Sequence, residues 1–172
     1  MRENRYDTTR RTLETDIMGH NPVNHPLRPI YRALGALTGA YLLLFGILGA
    51  ILTGSDGLFG NGDDRVLGQQ TNLFWSIVAV LVGAIVLIAS IIGNNSDTLI
   101  DKYFGWGLLV IGSYELAAIR TDANFLNFSI STVVVTYLLG LILIMAAYYS
   151  KVAPEEQTGA PRQTRERQAQ SA

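Results

Sequence analysis

The chain has 172 residues, of which 49% are hydrophobic and 16% charged, and its formal net charge is −1. A chain of this length is normally one domain, and a net charge near zero argues against a nucleic-acid partner. No cysteine is present, which excludes thiol redox chemistry and iron–sulfur ligation.

Residues 1–29 are polar. We do not expect a signal peptide here, because polar residues and prolines follow the basic start where a signal peptide would be apolar. The prolines instead predict an extended arm that leads into helix one. Both histidines, His20 and His25, lie in this arm, so a haem held by histidines inside the membrane is excluded. A zinc site made from them and Asp16 is conceivable, but solvated side chains are the favoured interpretation. We expect no metal and no cofactor.

Four apolar blocks follow, at residues 33–53, 66–92, 103–119 and 128–150. About 20 helical residues cross a ~30 Å hydrocarbon core, so only the third block is short. A soluble bundle would need a charged outer face, which the blocks lack. We predict an all-α integral membrane four-helix bundle (30–150), with helices at about 30–53, 70–92, 100–119 and 125–150, followed by a disordered tail (151–172).

Lysine and arginine residues predict how the bundle is oriented. Six arginines precede the first apolar block, and the tail carries four further basic residues. The connection after helix one carries only Arg65, and the connection after helix three only Arg120. Because basic loops stay inside, both termini are expected in the cytoplasm of a bacterial cell, with the bundle in its cytoplasmic membrane.

The two halves of the bundle share a faint pattern. Gly39-Ala-Tyr41-Leu in helix one matches Gly112-Ser-Tyr114-Glu in helix three, and Asn72 opens helix two as Asn127 opens helix four. Two parallel helical-hairpin repeats would explain the match, and so would chance similarity between apolar sequences. Both interpretations stay open.

Small residues form a seam on every predicted helix. Since lipid offers no hydrophobic force between helices, packing depends on close backbone approach at such residues. The Gly35-x-x-x-Gly39 pair would also suit a homodimer, although packing within one chain is favoured. The glycines predicted to pack helices are Gly35, Gly39, Gly46, Gly83, Gly112 and Gly140.

Glu115 is the only ionisable side chain within the four blocks, apart from tyrosines. A charge at mid-bilayer costs about 3 kcal/mol, which makes this carboxyl a candidate for proton or cation coupling together with Tyr114, Tyr41 and Thr136. Arg120 follows about 7–8 Å along the axis, so Glu115 is expected in the outer part of the membrane. A structural role, in hydrogen bonds to hydroxyls or a water-mediated pair with Arg120, is the favoured alternative.

The outer connections carry the remaining polar clusters. Residues 54–64 are rich in Gly and Asp, but their spacing does not match a calcium loop. The segment between helices three and four contains an outer polar cluster, which we interpret as a capped turn in which Asp122 or Asn124 caps helix four, or as a polar vestibule. Its members are Arg120, Asp122, Asn124 and Asn127.

Three motifs resemble a family of small four-span bacterial membrane proteins, common in actinobacteria and known only as a domain of unknown function. They are Asn-Pro-Val-Asn-His-Pro-Leu-Arg-Pro-Ile-Tyr-Arg at 21–32, Gln-Thr-Asn-Leu at 70–73 and Arg-Thr-Asp-Ala-Asn-Phe-Leu-Asn at 120–127. The resemblance covers roughly residues 22–152. Histidines found in some members are replaced here by Trp75, Ala79 and Asn127, so no histidine role carries over.

No set of catalytic side chains emerges from the sequence, and we expect a protein that is not an enzyme. The leading hypothesis is a structural or accessory component that binds protein partners or lipid. The alternative is a small oligomeric transporter or channel with proton or cation coupling at Glu115.

Overall fold

The computed structural model describes residues 23–154 and residue 170. Within them the chain forms four helices, α1 (Arg28–Thr53), α2 (Leu73–Ile92), α3 (Ser96–Ala118) and α4 (Ile130–Tyr149). Two short strands, β1 (Arg65–Val66) and β2 (Gln69–Gln70), form an antiparallel hairpin between α1 and α2. The predicted all-α helical bundle is confirmed, whereas Asp16, His20 and most of both tails lie outside the described residues.

Two helices begin later than predicted because the preceding residues are held elsewhere. α2 begins at Leu73 and not near residue 70, since β2 occupies the expected first turn and the Asn72 side chain caps the helix by accepting the Trp75 N–H at 3.0 Å. α4 begins at Ile130 and not near residue 125. Its cap is Ser129, in a reciprocal capping box with Thr132. The expectation that Asp122 or Asn124 caps helix four, or that Asn127 opens it, is therefore wrong.

The surface of the bundle is apolar and several polar side chains are buried, which is the reverse of a soluble protein. Leu37, Ile51 and Ile91 are exposed by 66%, 72% and 70%, while Ser76 and Thr132 are fully buried. Three helices, α1, α2 and α4, are long and apolar enough to cross a membrane. The charged residues of α3 keep it outside that group, although it packs in the same bundle.

Glycines bring α1 and α2 into direct backbone contact along antiparallel axes. A methyl group on Gly39 would lie 2.8 Å from the Leu87 nitrogen, and one on Gly46 would lie 2.5 Å from the Ser76 carbonyl oxygen. A methyl group on Gly83 would lie 2.7 Å from the Gly39 oxygen. The predicted seam of small residues therefore packs two helices of the same chain.

The second pair of helices, α3 and α4, repeats this arrangement. A methyl group on Gly105 would lie 2.9 Å from the Gly140 oxygen, and the reverse distance is also 2.9 Å. Gly112 faces α4 as well, but a methyl group there would lie 3.6 Å from Thr136 Cγ2, which is ordinary contact. The chain is thus built from two closely packed helical hairpins, and the proposed repeat between them stays a prediction.

The two ends of the bundle differ in construction. The loop end contains residues 54–72 and 119–129, and the turn end contains the start of α1, the α2–α3 turn and the end of α4. At the loop end the Asn127 amide group donates to the Gly62 and Thr71 carbonyl oxygens, at 2.8 and 3.0 Å. Asn72 donates to the Phe125 oxygen at 2.7 Å. The two loops therefore form one hydrogen-bonded cap.

At the turn end, two asparagines hold the segment that follows α4. Asn24 accepts from the Ala153 N–H and donates to its carbonyl oxygen, at 3.1 and 2.7 Å. Asn95 does the same with Val152, at 2.7 and 2.9 Å. The tail was predicted to be disordered from residue 151, and for residues 151–153 that is wrong, because asparagines from distant parts of the chain satisfy their backbone groups.

Candidate functional site

Glu115 lies in the last turn of α3 at the loop end and is fully buried. The Leu126 amide is near enough to act on the carboxylate electrostatically, but neither carboxylate oxygen has a hydrogen-bond partner of ordinary geometry among the described residues. Arg120 is exposed and makes no ion pair with Glu115. The carboxyl thus lies at the loop end of the bundle, enclosed beneath the loop that follows α3. Its depth in the membrane stays a prediction.

The hydroxyl groups expected around Glu115 do not form hydrogen bonds with its carboxylate. The Tyr114 hydroxyl donates to the Ala123 oxygen at 3.1 Å, and Tyr41 accepts from the Gln69 side chain at 2.6 Å. Thr136 is buried beside Gly112, one turn from Glu115. The four residues are therefore not joined in one hydrogen-bonded site.

The outer polar cluster separates into two kinds of residue. Arg120 and Asp122 are exposed at the surface. Asn124 bonds both the N–H and the carbonyl oxygen of Phe128, at 2.8 and 2.9 Å, and Asn127 joins the two loops. The asparagines thus stabilise the cap of the loop end through hydrogen bonds, while Arg120 and Asp122 lie at the surface.

A second and more polar site lies at the turn end, in the first two turns of α3. Asp97 and Asp101 are both fully buried, and they stand four residues apart, on one face of the helix. The Asp97 Oδ2 atom lies 3.6 Å from Arg28 Nη2, whose side chain is 22% exposed. This is the only ion pair of the described residues, so Asp97 has a guanidinium within ion-pair distance and Asp101 has none.

The buried space around Asp101, the carboxylate pocket, is bordered by α1 and α2. Gly35 of α1 leaves room for Asp101, because a methyl group there would lie 2.7 Å from Asp101 Oδ2 and 3.4 Å from the Ser90 Oγ of α2. Ser150, the cap residue of α4, is also fully buried. Within the described part of the chain, neither carboxylate and neither hydroxyl has a hydrogen-bond partner.

Sequence reasoning missed this pocket because the third apolar block begins at residue 103 and its helix was predicted only from about residue 100, which left Asp97 outside the helix. The helix begins earlier, at Ser96, and its buried positions form one continuous seam. A periodicity test extended upstream of Gly105 would have placed both aspartates on that seam. Its members are Asp97, Asp101, Gly105, Leu108, Gly112, Glu115 and Ala118.

Two arginines of α1 close the ends of the neighbouring helices. Arg28 Nε donates to the Ser150 oxygen at 2.8 Å, and Arg32 donates to the Ser90 and Ile91 oxygens at 2.5 and 2.6 Å. These carbonyl groups end α4 and α2, where the helix dipole is negative and no intrahelical partner exists. The arginines therefore bind the turn end together, a role that their positions in the sequence did not reveal.

Two grooves open at the turn end, one beside each helical hairpin. The arginine groove lies beside α1 and α2 and is lined by Arg28, Pro29, Arg32, Ala33, Ala36, Ser90 and Ile91. The lysine groove lies beside α3 and α4 and is lined by Asn95, Thr98, Leu99, Lys102, Ala147, Tyr148 and Lys151. Each groove thus combines two cationic side chains with apolar walls.

The aromatic residues at this end surround the one histidine of the described chain. His25 packs edge-on against Tyr31 and Tyr149, with ring centroids 5.7 and 5.4 Å apart, and the two tyrosines stack at 4.8 Å. Among the described residues, no group of three His, Asp or Glu side chains could hold a metal ion. His25 therefore fastens the arm to the bundle through ring packing.

A family model described as a domain of unknown function, DUF4383, matches residues 32–149. These residues include all of α2, α3 and α4 and most of α1. No curated protein and no solved structure matches the chain.

Proposed function

The chain belongs to the DUF4383 family, and we propose that this membrane protein is a structural or accessory component whose turn end binds anionic lipid. We assign it no catalytic activity. A protein partner recruited to the same end is compatible with that role. The observation that carries the proposal is the lysine groove, a cationic and apolar cleft at one end of an apolar bundle.

We propose that the bundle crosses the bacterial cytoplasmic membrane four times, with both termini in the cytoplasm. Basic residues support this orientation, since Arg28, Arg32, Lys102 and Lys151 belong to the turn end, whereas the loop end has Arg65 and Arg120. In this orientation α3 crosses the membrane in addition to α1, α2 and α4, and its charged first turns lie near the cytoplasmic headgroups.

The lysine groove suits a phospholipid headgroup better than the arginine groove does. The guanidinium groups of Arg28 and Arg32 already donate to helix carbonyl groups, whereas Lys102 and Lys151 border a cleft with Tyr148. Basic clefts between spans on the cytoplasmic side attract anionic headgroups, and each nearby lysine contributes about 1 kcal/mol. Leu99, which is 55% exposed, would face the upper part of the acyl chains.

Replacing Lys102 and Lys151 together with alanine should weaken binding of phosphatidylglycerol about thirtyfold, because about 2 kcal/mol of attraction is lost. The measurement is lipid retention on the purified protein by native mass spectrometry, at increasing ratios of phosphatidylglycerol to phosphatidylcholine. The matched control replaces Arg65 and Arg120 with alanine, which removes two charges from the loop end. Equal retention by the two double variants would contradict the proposal.

A second candidate function, a small oligomeric transporter or channel, is favoured by the complete burial of Glu115. Glu115 would supply proton or cation coupling. A charged carboxyl inside a membrane has a large free-energy cost, which makes such a residue a candidate for function. In liposomes, Glu115→Gln should then abolish flux or its pH dependence. Unchanged flux in that variant would eliminate this candidate.

A further inference from the structure

The buried carboxylates of α3 are not balanced by the charges around them. Burial of a carboxylate costs several kcal/mol unless a counter-charge or hydrogen bonds compensate for the lost water. Arg28 lies 3.6 Å from Asp97, and no arginine, lysine or histidine lies within 4.0 Å of Asp101 among the described residues. Asp101 is therefore the carboxylate whose charge is left uncompensated.

Few charged groups lie on the helices packed against Asp101. α1 carries Arg28, which pairs with Asp97, and Arg32, whose guanidinium donates to the Ser90 and Ile91 carbonyl oxygens and lies more than 4.0 Å from both carboxylates. α3 contributes Asp97, whose negative charge opposes ionisation of Asp101. α2 and α4 contain no Asp, Glu, Lys, Arg or His. One additional positive charge would balance the pocket.

The pocket also presents oxygen atoms that suit a small cation. Ser90 is only 3% exposed. A methyl group on Gly35 would lie 3.4 Å from the Ser90 Oγ and 2.7 Å from Asp101 Oδ2, so both oxygens border the same space. That hydroxyl is unpaired, as are both oxygens of Asp101 and of Asp97 within the described residues. Carboxylate and hydroxyl oxygens are the ligands that hard cations prefer.

We propose that Asp101, together with Ser90 and Asp97, binds one exchangeable monovalent cation, supplied either as Na⁺ or as a proton. The binding site lies where α1, α2 and α3 meet at the turn end. It is separate from the lysine groove and does not depend on the lipid proposal. Binding links three helices through one charge, so its occupancy should control the stability of the bundle.

The test is thermal unfolding of the purified full chain in detergent at constant ionic strength, with NaCl exchanged for choline chloride and with pH varied at each composition. If Na⁺ is the cation, the Tm of the wild type should rise by about 5–10 °C when Na⁺ exceeds its dissociation constant about 100-fold. If a proton is the cation, Tm should fall as pH rises and should not respond to Na⁺.

Asp101→Asn removes the charge at nearly constant volume and should abolish whichever response the wild type gives. Asp122→Asn, an exposed aspartate of the loop end, is the matched control and should keep the response. Ser90→Ala keeps the carboxylate and should raise the Na⁺ concentration needed, which provides a test if Asp101→Asn does not fold. A wild type that responds to neither Na⁺ nor pH, or an Asp101→Asn variant that still responds, would overturn the proposal.

Discussion

Gly83→Ala should destabilise the protein by about 3 kcal/mol, the upper end of what overpacking of a close-packed interior costs. The added methyl group would lie 2.7 Å from the Gly39 carbonyl oxygen and still closer to the Leu43 nitrogen. Both contacts are with backbone atoms, which no change of rotamer can relieve, so α1 and α2 must move apart. The measurement is the free energy of unfolding in mixed micelles, or the loss of Tm in detergent.

Gly107→Ala provides the control for this substitution. The same methyl group meets no atom within 4 Å at Gly107, in the middle of α3. Alanine is the better helix former by about 1 kcal/mol, so this variant should be as stable as the wild type or more stable. Equal losses in the two variants would show that the glycine contacts between α1 and α2 do not hold the bundle together.

Arg28→Met should cost about 3 kcal/mol, because it removes the one guanidinium among the described residues that lies within ion-pair distance of the fully buried Asp97. Removing one partner of a buried pair leaves the other charge uncompensated, and this penalty exceeds the value of the pair itself. The substitution also removes the hydrogen bond from Arg28 to the Ser150 oxygen at the end of α4. Unfolding of the full chain in detergent measures the loss.

The double variant Arg28→Met with Asp97→Asn separates the charge effect from the lost packing. Once Asp97 is neutral, no counter-charge is required, and at least about half of the lost stability should return. Arg65→Met, an exposed arginine of the loop end, should change stability by less than about 0.5 kcal/mol. No recovery in the double variant would mean that Arg28 acts through packing alone.

The helices and their glycine contacts were predictable because they follow from local patterns. Apolar runs long enough to span a bilayer define the elements, and small residues three or four apart define the contacting faces. Gly39, Gly46, Gly83 and Gly140 were predicted in this way and lie at close contacts. Gly112 shares the pattern but has more room, because spacing alone does not give the distance between two helices.

The polar sites were less predictable, since their partners are distant in the sequence. Asp97 and Asp101 precede the third apolar run, and a search for uncharged segments passes over them. Asn24 and Asn95 hold residues more than 50 positions away, and no local motif identifies such a bond. The starts of α2 and α4 differ from the predicted starts for the same reason. Loop contacts at Asn72 and Ser129 decide where each of these helices begins.

Cysteine labelling tests most directly the central claim that four helices, including α3, cross the membrane. The chain lacks cysteine, so single substitutions at Asn61, Asn94 and Asp122 report one position each with a membrane-impermeant maleimide on intact cells. Asn61→Cys and Asp122→Cys at the loop end should react, and Asn94→Cys in the α2–α3 turn should react only after the membrane is opened. Labelling of Asp122→Cys only from the side that labels Asn94→Cys would contradict the account, because α3 would then not span the bilayer.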